Sequence, residues 1–273
     1  MVGSLNLDLV INVERQPHPG ETILGSGLVT LFGGKGGNQA VAAAASNPTT
    51  MVGCVGDDAG GQQYLERLRG FGVDASGVAA VDGVATGTAV IYVDRQGENM
   101  IVVAPGANHA LQPAHLAALD DLGAGDVVLL QLEIPLDVIA EVVARSKRAG
   151  ATVIANLAPY ADLPQDVLDG CDLIVVNQHE RDLMQASGLR HDNVLVTLGA
   201  DGAQWNDLHV VADAVQVVDT TGAGDAFCGA LAAALAQGAT RQDALRSATR
   251  AGGACATHVG AQPPLPHAGA PRG

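Results

Sequence analysis

A three-layer α/β/α body with a mostly parallel central sheet, carrying a small β-sheet lid, is the fold class this sequence predicts, and three observations point to it. From Asp126 onward, short β-branched runs alternate with helical patterns, the signature of βαβ units joined by right-handed crossovers. Those runs are almost continuously apolar, as expected of strands buried on both faces. Before Asp126, two segments show alternating strand patterns broken by turns, which predicts a separate small β lobe.

In chain order, "GETILGSGLVTLFGG" reads as lobe strand, and "NQAVAAAAS" and "GGQQYLERLRGFG" read as helices. "TGTAVIYVDRQGENMIVVAPG" returns to the lobe as two strands turned at "DRQGEN". The body follows with strand "DVVLLQLE", helix "LDVIAEVVARSKRAG", and strands "ATVIANLA", "CDLIVVN" and "NVLVTLG". A further strand is predicted at "AVQVV", ahead of "DTTGAGDAF" and the small-residue helix "CGALAAALAQG". The tail "GAQPPLPHAGAPRG" is too rich in proline and glycine to be helical. No repeat, charge block or low-complexity linker divides the chain. Residues 1–273 are therefore expected to form one domain, with the lid drawn from about 9–32 and 86–104.

The chain is 273 residues long, 48% hydrophobic, and carries a formal net charge of -15, so a broad basic footprint for nucleic acid or an acidic membrane is absent. Small-molecule partners are expected instead. Cys54, Cys171, Cys228 and Cys255 are scattered without C-x-x-C spacing, which argues against a zinc site and a disulfide framework. The opening "MVGSLNLDLVINVERQ" has no basic stretch followed by a long apolar run, and no apolar stretch reaches membrane length. A cytoplasmic location is the expectation.

Ligands of open parallel sheets bind beyond the carboxyl ends of the strands. Glu133, Asn156, Asn177, Gly199, Asp219 and Asp225 all fall at or just after such ends. Two common phosphate motifs fail on spacing. Counting back from Lys35 puts Val29 at the first glycine of a Walker loop, and Gly36 stands in place of the hydroxyl residue. Gly222 and Gly224 would require glycine at Phe227 for a dinucleotide fingerprint, and Gly34 and Gly36 would require it at Gln39, which disfavours a nicotinamide enzyme. What remains is "DTTGAGDAF". The amides of Gly222, Ala223 and Gly224 at a helix start form an anion cradle, and Asp225 beside it supplies a base. A cradle plus a base is the equipment of phosphoryl transfer to a hydroxyl. Read locally, Asp225 is equally a first-turn helix acid favoured by the dipole.

"DTTGAGDAFCGAL" and "FGGKGGNQAVAAA" resemble the two signatures of the ribokinase-like (PfkB) carbohydrate kinase family. "GSLNLD", "PGET", "VGDDAGG", "GENMIVVAPGAN", "QLE", the N-x-x-E at Asn177 to Glu180, "TLGADG" and "GAQPPLP" extend the match in order along nearly the whole chain. The resemblance implies an ATP-dependent sugar kinase, with D-ribose phosphorylated at its 5-hydroxyl. Another sugar or a nucleoside (deoxyribose, fructose, adenosine), or an inactive sugar sensor on the same fold, are the alternatives. With 3% aromatic residues, few rings are available to stack a nucleobase.

By the same resemblance Asp225 is the catalytic base. Asn6, Asp8, Gly33, Gly34, Lys35, Asn38 and Glu133 bind the sugar, and Asn177, Thr197, Gly199, Gly202, Gly224 and Thr249 line the nucleotide. Glu180 acts on Mg²⁺ through water, although Asn177 and Glu180 also spell a helix capping box. Asp219, Thr221, Cys255, His258 and Gly260 hold a monovalent cation, K⁺, mostly by backbone. The implied partners are ATP, a small sugar and a second copy of the chain paired through the lid. Two departures stand out: Pro264 replaces a serine after "GAQP", and Thr249 occupies a position where asparagine often faces adenine. The segment from Glu180 to Thr197 is also short, and the usual last helix is missing.

Overall fold

A computed structural model describes residues 1–265; the final part of the proline- and glycine-rich tail, 266–273, lies outside the described residues. Two sheets organise the chain. The body sheet contains β7 (Val127–Gln131), β8 (Thr152–Asn156), β9 (Leu173–Asn177) and β10 (Val194–Thr197), all parallel in that order, and ends in the antiparallel edge strands β11 (Ala203–Trp205) and β12 (Leu208–Val210). On its other side, β3 (Thr50–Gly56) and β4 (Asp74–Val81) form a parallel pair. Val2 joins this pair to the body by bridging Val52 and Leu130, both in parallel sense.

Alternation along these strands divides the core as a doubly covered sheet requires. Leu130, Val153, Ala155, Ile174 and Val176 face α3 (Leu136–Ala149), which contributes Val138, Ile139, Val142 and Val143. Leu129, Ile154, Leu173, Val175 and Leu195 face the opposite layer, where Phe227 and Leu231 of α6 (Ala223–Ala236) and Leu245 of α7 (Arg241–Cys255) pack. A third cluster, including Leu5, Val41, Val55, Tyr64 and Leu68, fixes α1 (Lys35–Ala44) and α2 (Ala59–Gly70) over β3. The helices predicted at "NQAVAAAAS" and "GGQQYLERLRGFG" are α1 and α2.

The second sheet has the order β2-β1-β5-β6, built from β1 (Asn6–Val13), β2 (Gly25–Gly33), β5 (Gly87–Val93) and β6 (Asn99–Ala104). β1 pairs antiparallel with β2 and parallel with β5, and β5 pairs antiparallel with β6 around the turn at 94–98. Asp8 lies opposite Leu31 and Ala89, so these side chains share one face, while Leu7, Phe32 and Thr88 share the other. Leu28, Val29 and the run Met100–Val103 remain exposed.

One predicted strand is absent. "AVQVV" pairs with no neighbour: Val215, Val217 and Val218 are exposed, and the Val218 and Asp219 amides both donate to the Ala256 carbonyl at 2.8 and 3.3 Å. The end of α7 therefore holds this run where a sheet edge was expected. The short helix α4 (Gln165–Asp169) and the β11–β12 hairpin carry too few residues to have shown a period.

Asp58 ties the two sheets together. Its Oδ1 accepts from the Gly61 amide at 2.7 Å, capping α2, and from Thr86 Oγ1 at 2.7 Å, while Oδ2 accepts from the Thr86 amide at 2.8 Å just before β5. Asp58→Ala removes a cap and leaves buried Thr86 donors unpaired, so it is expected to destabilise the protein by about 1–3 kcal/mol in urea unfolding. An unchanged midpoint would contradict this role.

Candidate active site

The amino-terminal residues run under α1 before entering β1, and glycines permit the approach. Gly34 precedes α1 at φ 80°, and a Cβ there would lie 2.7 Å from the Asn6 amide nitrogen. A side chain is excluded by both conformation and space. The tight turn delivers Lys35, Asn38 and Gln39 to the carboxyl ends of the body strands, where the first turn of α6 brings Asp225.

Asp225 is buried, and its two carboxylate oxygens have separate amide donors. Asn38 Nδ2 donates to Oδ2 at 2.9 Å, and Gln39 Nε2 donates to Oδ1 at 3.0 Å. The second Gln39 hydrogen goes to Asn156 Oδ1 at 3.1 Å, and Asn156 Nδ2 donates to the Val175 carbonyl at 3.2 Å. Each amide in this relay is oriented by the next, back to the backbone of β9. Both Gln39 hydrogens are committed, and its Oε1 is buried without a partner among the described residues.

Burial raises the Asp225 carboxyl above its ordinary value, while Lys35 and the amides of Asn38 and Gln39 pull the other way. Burial likewise opposes a charge on Lys35, but the carboxylates of Asp225, Glu133 and Glu180 outweigh it, and the ammonium is raised and held charged. Asp8, half-buried on the inner face of β1, is pushed up to about 7 by burial and by the nearby charges of Glu133 and Asp225. Three carboxylates, Asp225 and Glu180 in the first turns of two helices and Glu133 just beyond a body strand, thus act on one lysine.

Glu133 lies two residues beyond β7, not within it. Its Oε2 accepts from Ser4 Oγ and from the Lys35 amide, the latter at 2.9 Å. Asn6 is buried, and its Oδ1 accepts from Asn108 Nδ2 at 2.7 Å, so one end of its amide is engaged within the protein. Gly33 packs against the Asp8 carboxyl group, and its carbonyl accepts from the Tyr64 hydroxyl. Gln262 Nε2 then donates to the Tyr64 oxygen and to Asn38 Oδ1, both at 3.0 Å, linking the carboxy-terminal loop to the residue that grips Asp225.

The predicted cradle needs one correction. Gly222 caps α6 in the left-handed region at φ 76°, with Ala261 so close that a Cβ would fall 2.4 Å away. The Ala223 amide, however, donates to the Thr220 carbonyl at 3.2 Å and is closed within the turn. The amides of Gly222, Gly224 and Asp225 have no acceptor among the described residues. Asp225 therefore supplies an anion-directed amide as well as its carboxylate, which the spacing alone did not reveal.

On the opposite side of the cradle, Asn177 and Glu180 form a complete capping box at the start of α5 (Gln178–Ala186), with both bonds at 2.8 Å. Burial raises the Glu180 carboxyl, against the Asn177 amide and Lys35. Thr197 ends β10, and Gly199 and Gly202 bracket the turn that follows, with the Gly202 amide donating to the Gly199 carbonyl at 3.1 Å. Thr249 is buried, and its hydroxyl donates back to the Leu245 carbonyl at 2.8 Å, so that donor is committed within α7.

The predicted cation loop is a stitched pair of turns. Asp219 Oδ1 accepts from the Thr221 amide and hydroxyl at 2.9 and 2.6 Å, and Oδ2 accepts from the Gly260 amide at 2.9 Å. Burial opposes ionisation of Asp219, but these bonds prevail and lower its carboxyl below the ordinary value. The Cys255 thiol donates to the Thr221 carbonyl at 3.5 Å, and His258 Nε2 is buried without a partner among the described residues. Pro264 is exposed beyond this loop, and the neighbouring Pro263 carbonyl accepts from Arg67 at 2.9 Å. Gln39, Ser4 and Gln262 were not singled out as site residues by the sequence, and Asn156 was placed only among the polar strand ends, without a partner. Only the adjacency of Gln39 to Asn38 in "GGKGGNQ" gave a signal.

The family model "pfkB family carbohydrate kinase" matches residues 1–268. The chain belongs to this family. Its relatives include a ribokinase from Bacillus subtilis, 37% identical over 97% of this chain and 95% of that protein. Among solved structures, a Thermotoga maritima ribokinase superposes with TM-score 0.87 at 32% identity, covering 97% of this chain and 94% of that one. An Arabidopsis thaliana ribokinase complexed with ribose and ATP gives 0.84 at 34% identity, covering 95% and 92%. The ribokinase-like three-layer fold with its small separate sheet follows directly.

The Asp8 carboxyl sets a stability signature. A folded-state value raised from 3.8 to about 7 means the folded protein holds a proton that the unfolded chain has released. Its contribution is therefore present below about pH 4 and is lost as pH rises through about 7. Asp8→Asn should gain thermal stability relative to the parent as pH increases from 4 to 8. Parallel melting-temperature profiles would contradict the shift.

Proposed function

We propose that this family member is a ribokinase, transferring the γ-phosphate of ATP to the 5-hydroxyl of D-ribose, with Asp225 as the base. The observation that carries the reading is the Asp225 carboxylate, gripped by Asn38 and Gln39, at the first turn of a helix whose leading amides are unpaired. A carboxylate inside an anion cradle is wasteful unless it takes a proton from the nucleophile as that nucleophile meets the phosphoryl group. Sugar kinases in the curated relatives and the ribose and ATP of the Arabidopsis complex favour these substrates.

In this reading Asp8, Asn6 through its free amide end, Gly33, Gly34, Asn38 and Glu133 hold the sugar hydroxyls. The four-stranded sheet closes over them as a lid and excludes water that would otherwise accept the phosphoryl group. Lys35 offsets the three carboxylates. Gly222 and Gly224 receive the transferred group, and Thr197, Gly199 and Gly202 approach the nucleotide by backbone.

Mg²⁺ fits the Glu180 side, where the Asn177 amide on Oε2 and the charge of Lys35 favour the ionised carboxylate and Oε1 is left for a bound water; it would neutralise phosphate charge. A monovalent cation fits the loop pair stitched by ionised Asp219, with carbonyls of Thr221, Cys255, His258 and Gly260 as further oxygen donors. It would add positive potential behind the cradle. The chain acts in the cytoplasm as a homodimer, pairing the lid face that carries exposed Leu28, Met100 and Val102.

ADP release with Mg-ATP and a panel of ribose, deoxyribose, fructose and adenosine tests the function. Ribose is expected to give the highest kcat/KM, and turnover on another member of the panel alone would replace it as substrate. Asp225→Asn should lower kcat by roughly 10²–10⁴ while ribose binding by calorimetry persists. Near-normal turnover of that variant would remove Asp225 from the role.

A further inference from the structure

Gln262 lies in the carboxy-terminal loop, two residues beyond the glycine that Asp219 ties to the cradle turn, and its side chain is buried. Both ends of its amide are engaged. Oε1 accepts from Arg67 Nε at 2.7 Å, and Nε2 donates to Asn38 Oδ1 and to the Tyr64 oxygen, both at 3.0 Å. The Tyr64 hydrogen goes to the Gly33 carbonyl, which leaves the phenol oxygen to accept. Asn38 hands the direction on, with Nδ2 donating to Asp225 Oδ2 at 2.9 Å.

An amide side chain has a donor end and an acceptor end, and turning it over exchanges them. The row Arg67, Gln262, Asn38, Asp225 has no such freedom at its two ends, because a guanidinium only donates and an ionised carboxylate only accepts. Turning over Gln262 alone, Asn38 alone, or both leaves two mismatched contacts in the row each time, nitrogen on nitrogen or oxygen on oxygen. One arrangement satisfies all three bonds, and it is the one found here. Arg67 is held in place on α2, with its guanidinium over the rings of Phe32 and Phe71 at 4.8 and 5.1 Å and Nη2 bonded to the Pro263 carbonyl at 2.9 Å.

We propose that Gln262 is a positioning residue for phosphoryl transfer, polarised by Arg67 so that the nitrogen of Asn38, and not its oxygen, faces the carboxylate of Asp225. This rests on the reading of Asp225 as the base. With Asn38 on Oδ2 and Gln39 on Oδ1, the carboxylate is fixed in rotation and its remaining lone pairs are left for the hydroxyl of the sugar. Arg67 thereby acts on the base through two intervening side chains.

Gln262→Glu and Gln262→Met separate positioning from tethering. Glutamate keeps an acceptor for Arg67, now as an ion pair, but brings no hydrogen to Asn38 and competes with Asp225 for the Asn38 hydrogens; methionine, of similar length, loses the Arg67 bond as well. Positioning predicts that Gln262→Glu has the higher melting temperature of the two variants yet the lower kcat with ribose and Mg-ATP, down by roughly 10-fold or more from the parent. Tethering predicts that kcat follows melting temperature, and that result would overturn the proposal. A measurement without turnover accompanies it. The Asn38 side-chain amide resonances, identified by their loss in Asn38→Ala, are expected to shift on Asp225→Ala in the parent background and to stay in place on Asp225→Ala in the Gln262→Glu background. Equal shifts in both backgrounds would likewise overturn it. If the parent phosphorylates no sugar, the kinase reading fails, and the resonance comparison alone decides whether Gln262 sets the polarity of Asn38.

Discussion

A buried carboxylate with one amide donor on each oxygen is the constraint on which the site depends. Moving Asp225 out of water raises the cost of its charge, and the fold offsets that with Lys35 and with two amides whose own orientation is fixed. Asn38 and Gln39 are successive residues of one helix, so both reach Asp225 only if α1 starts where Gly34 allows and lies against α6. Asn156 at the end of β8 and Val175 in β9 then lock the Gln39 amide to the sheet. Carboxylate, helix pair and sheet are joined in one hydrogen-bonded assembly.

The four-stranded sheet and the carboxy-terminal loop attach to this assembly at defined points. Gln262 bonds Asn38 and Tyr64 together, and Asp219 ties the cradle turn to Gly260, so the carboxy-terminal loop and the anion-binding amides share supports. Arg67 adds a third link, with its guanidinium over the Phe32 ring at 4.8 Å and bonded to Gln262 at 2.7 Å. Phe32 belongs to β2 of the four-stranded sheet. Phe32, Arg67 and Gln262 thus form a chain of contacts from that sheet to Asn38.

Much of this was legible in the sequence because periodicity and chain order carry it. The body strands from Val127 to Thr197 showed their two-sided burial as continuous apolar runs, and "DTTGAGD" located the turn at Gly222. The predicted strand "AVQVV" failed because β-branched composition states a preference, whereas a strand needs an edge to pair with; the Ala256 carbonyl takes the amides at its end, of Val218 and Asp219, instead. Ala223 and Thr249 looked available by position, but their donors are consumed by Thr220 and Leu245, within a turn and a helix. Gln39 escaped notice, and Asn156 was located at a strand end without its partner, for the opposite reason: their pairing exists only through contacts more than a hundred residues apart in sequence.

The central claim is that Gln39 acts on the reaction through Asp225, and a double-mutant cycle on kcat measures that coupling most directly. Gln39→Leu, Asp225→Ala and the double variant would be compared with the parent, with ribose binding and thermal unfolding as checks of folding. The account predicts that Gln39→Leu lowers kcat in the parent background and leaves the residual rate of Asp225→Ala unchanged. Equal fold-losses in both backgrounds would contradict it.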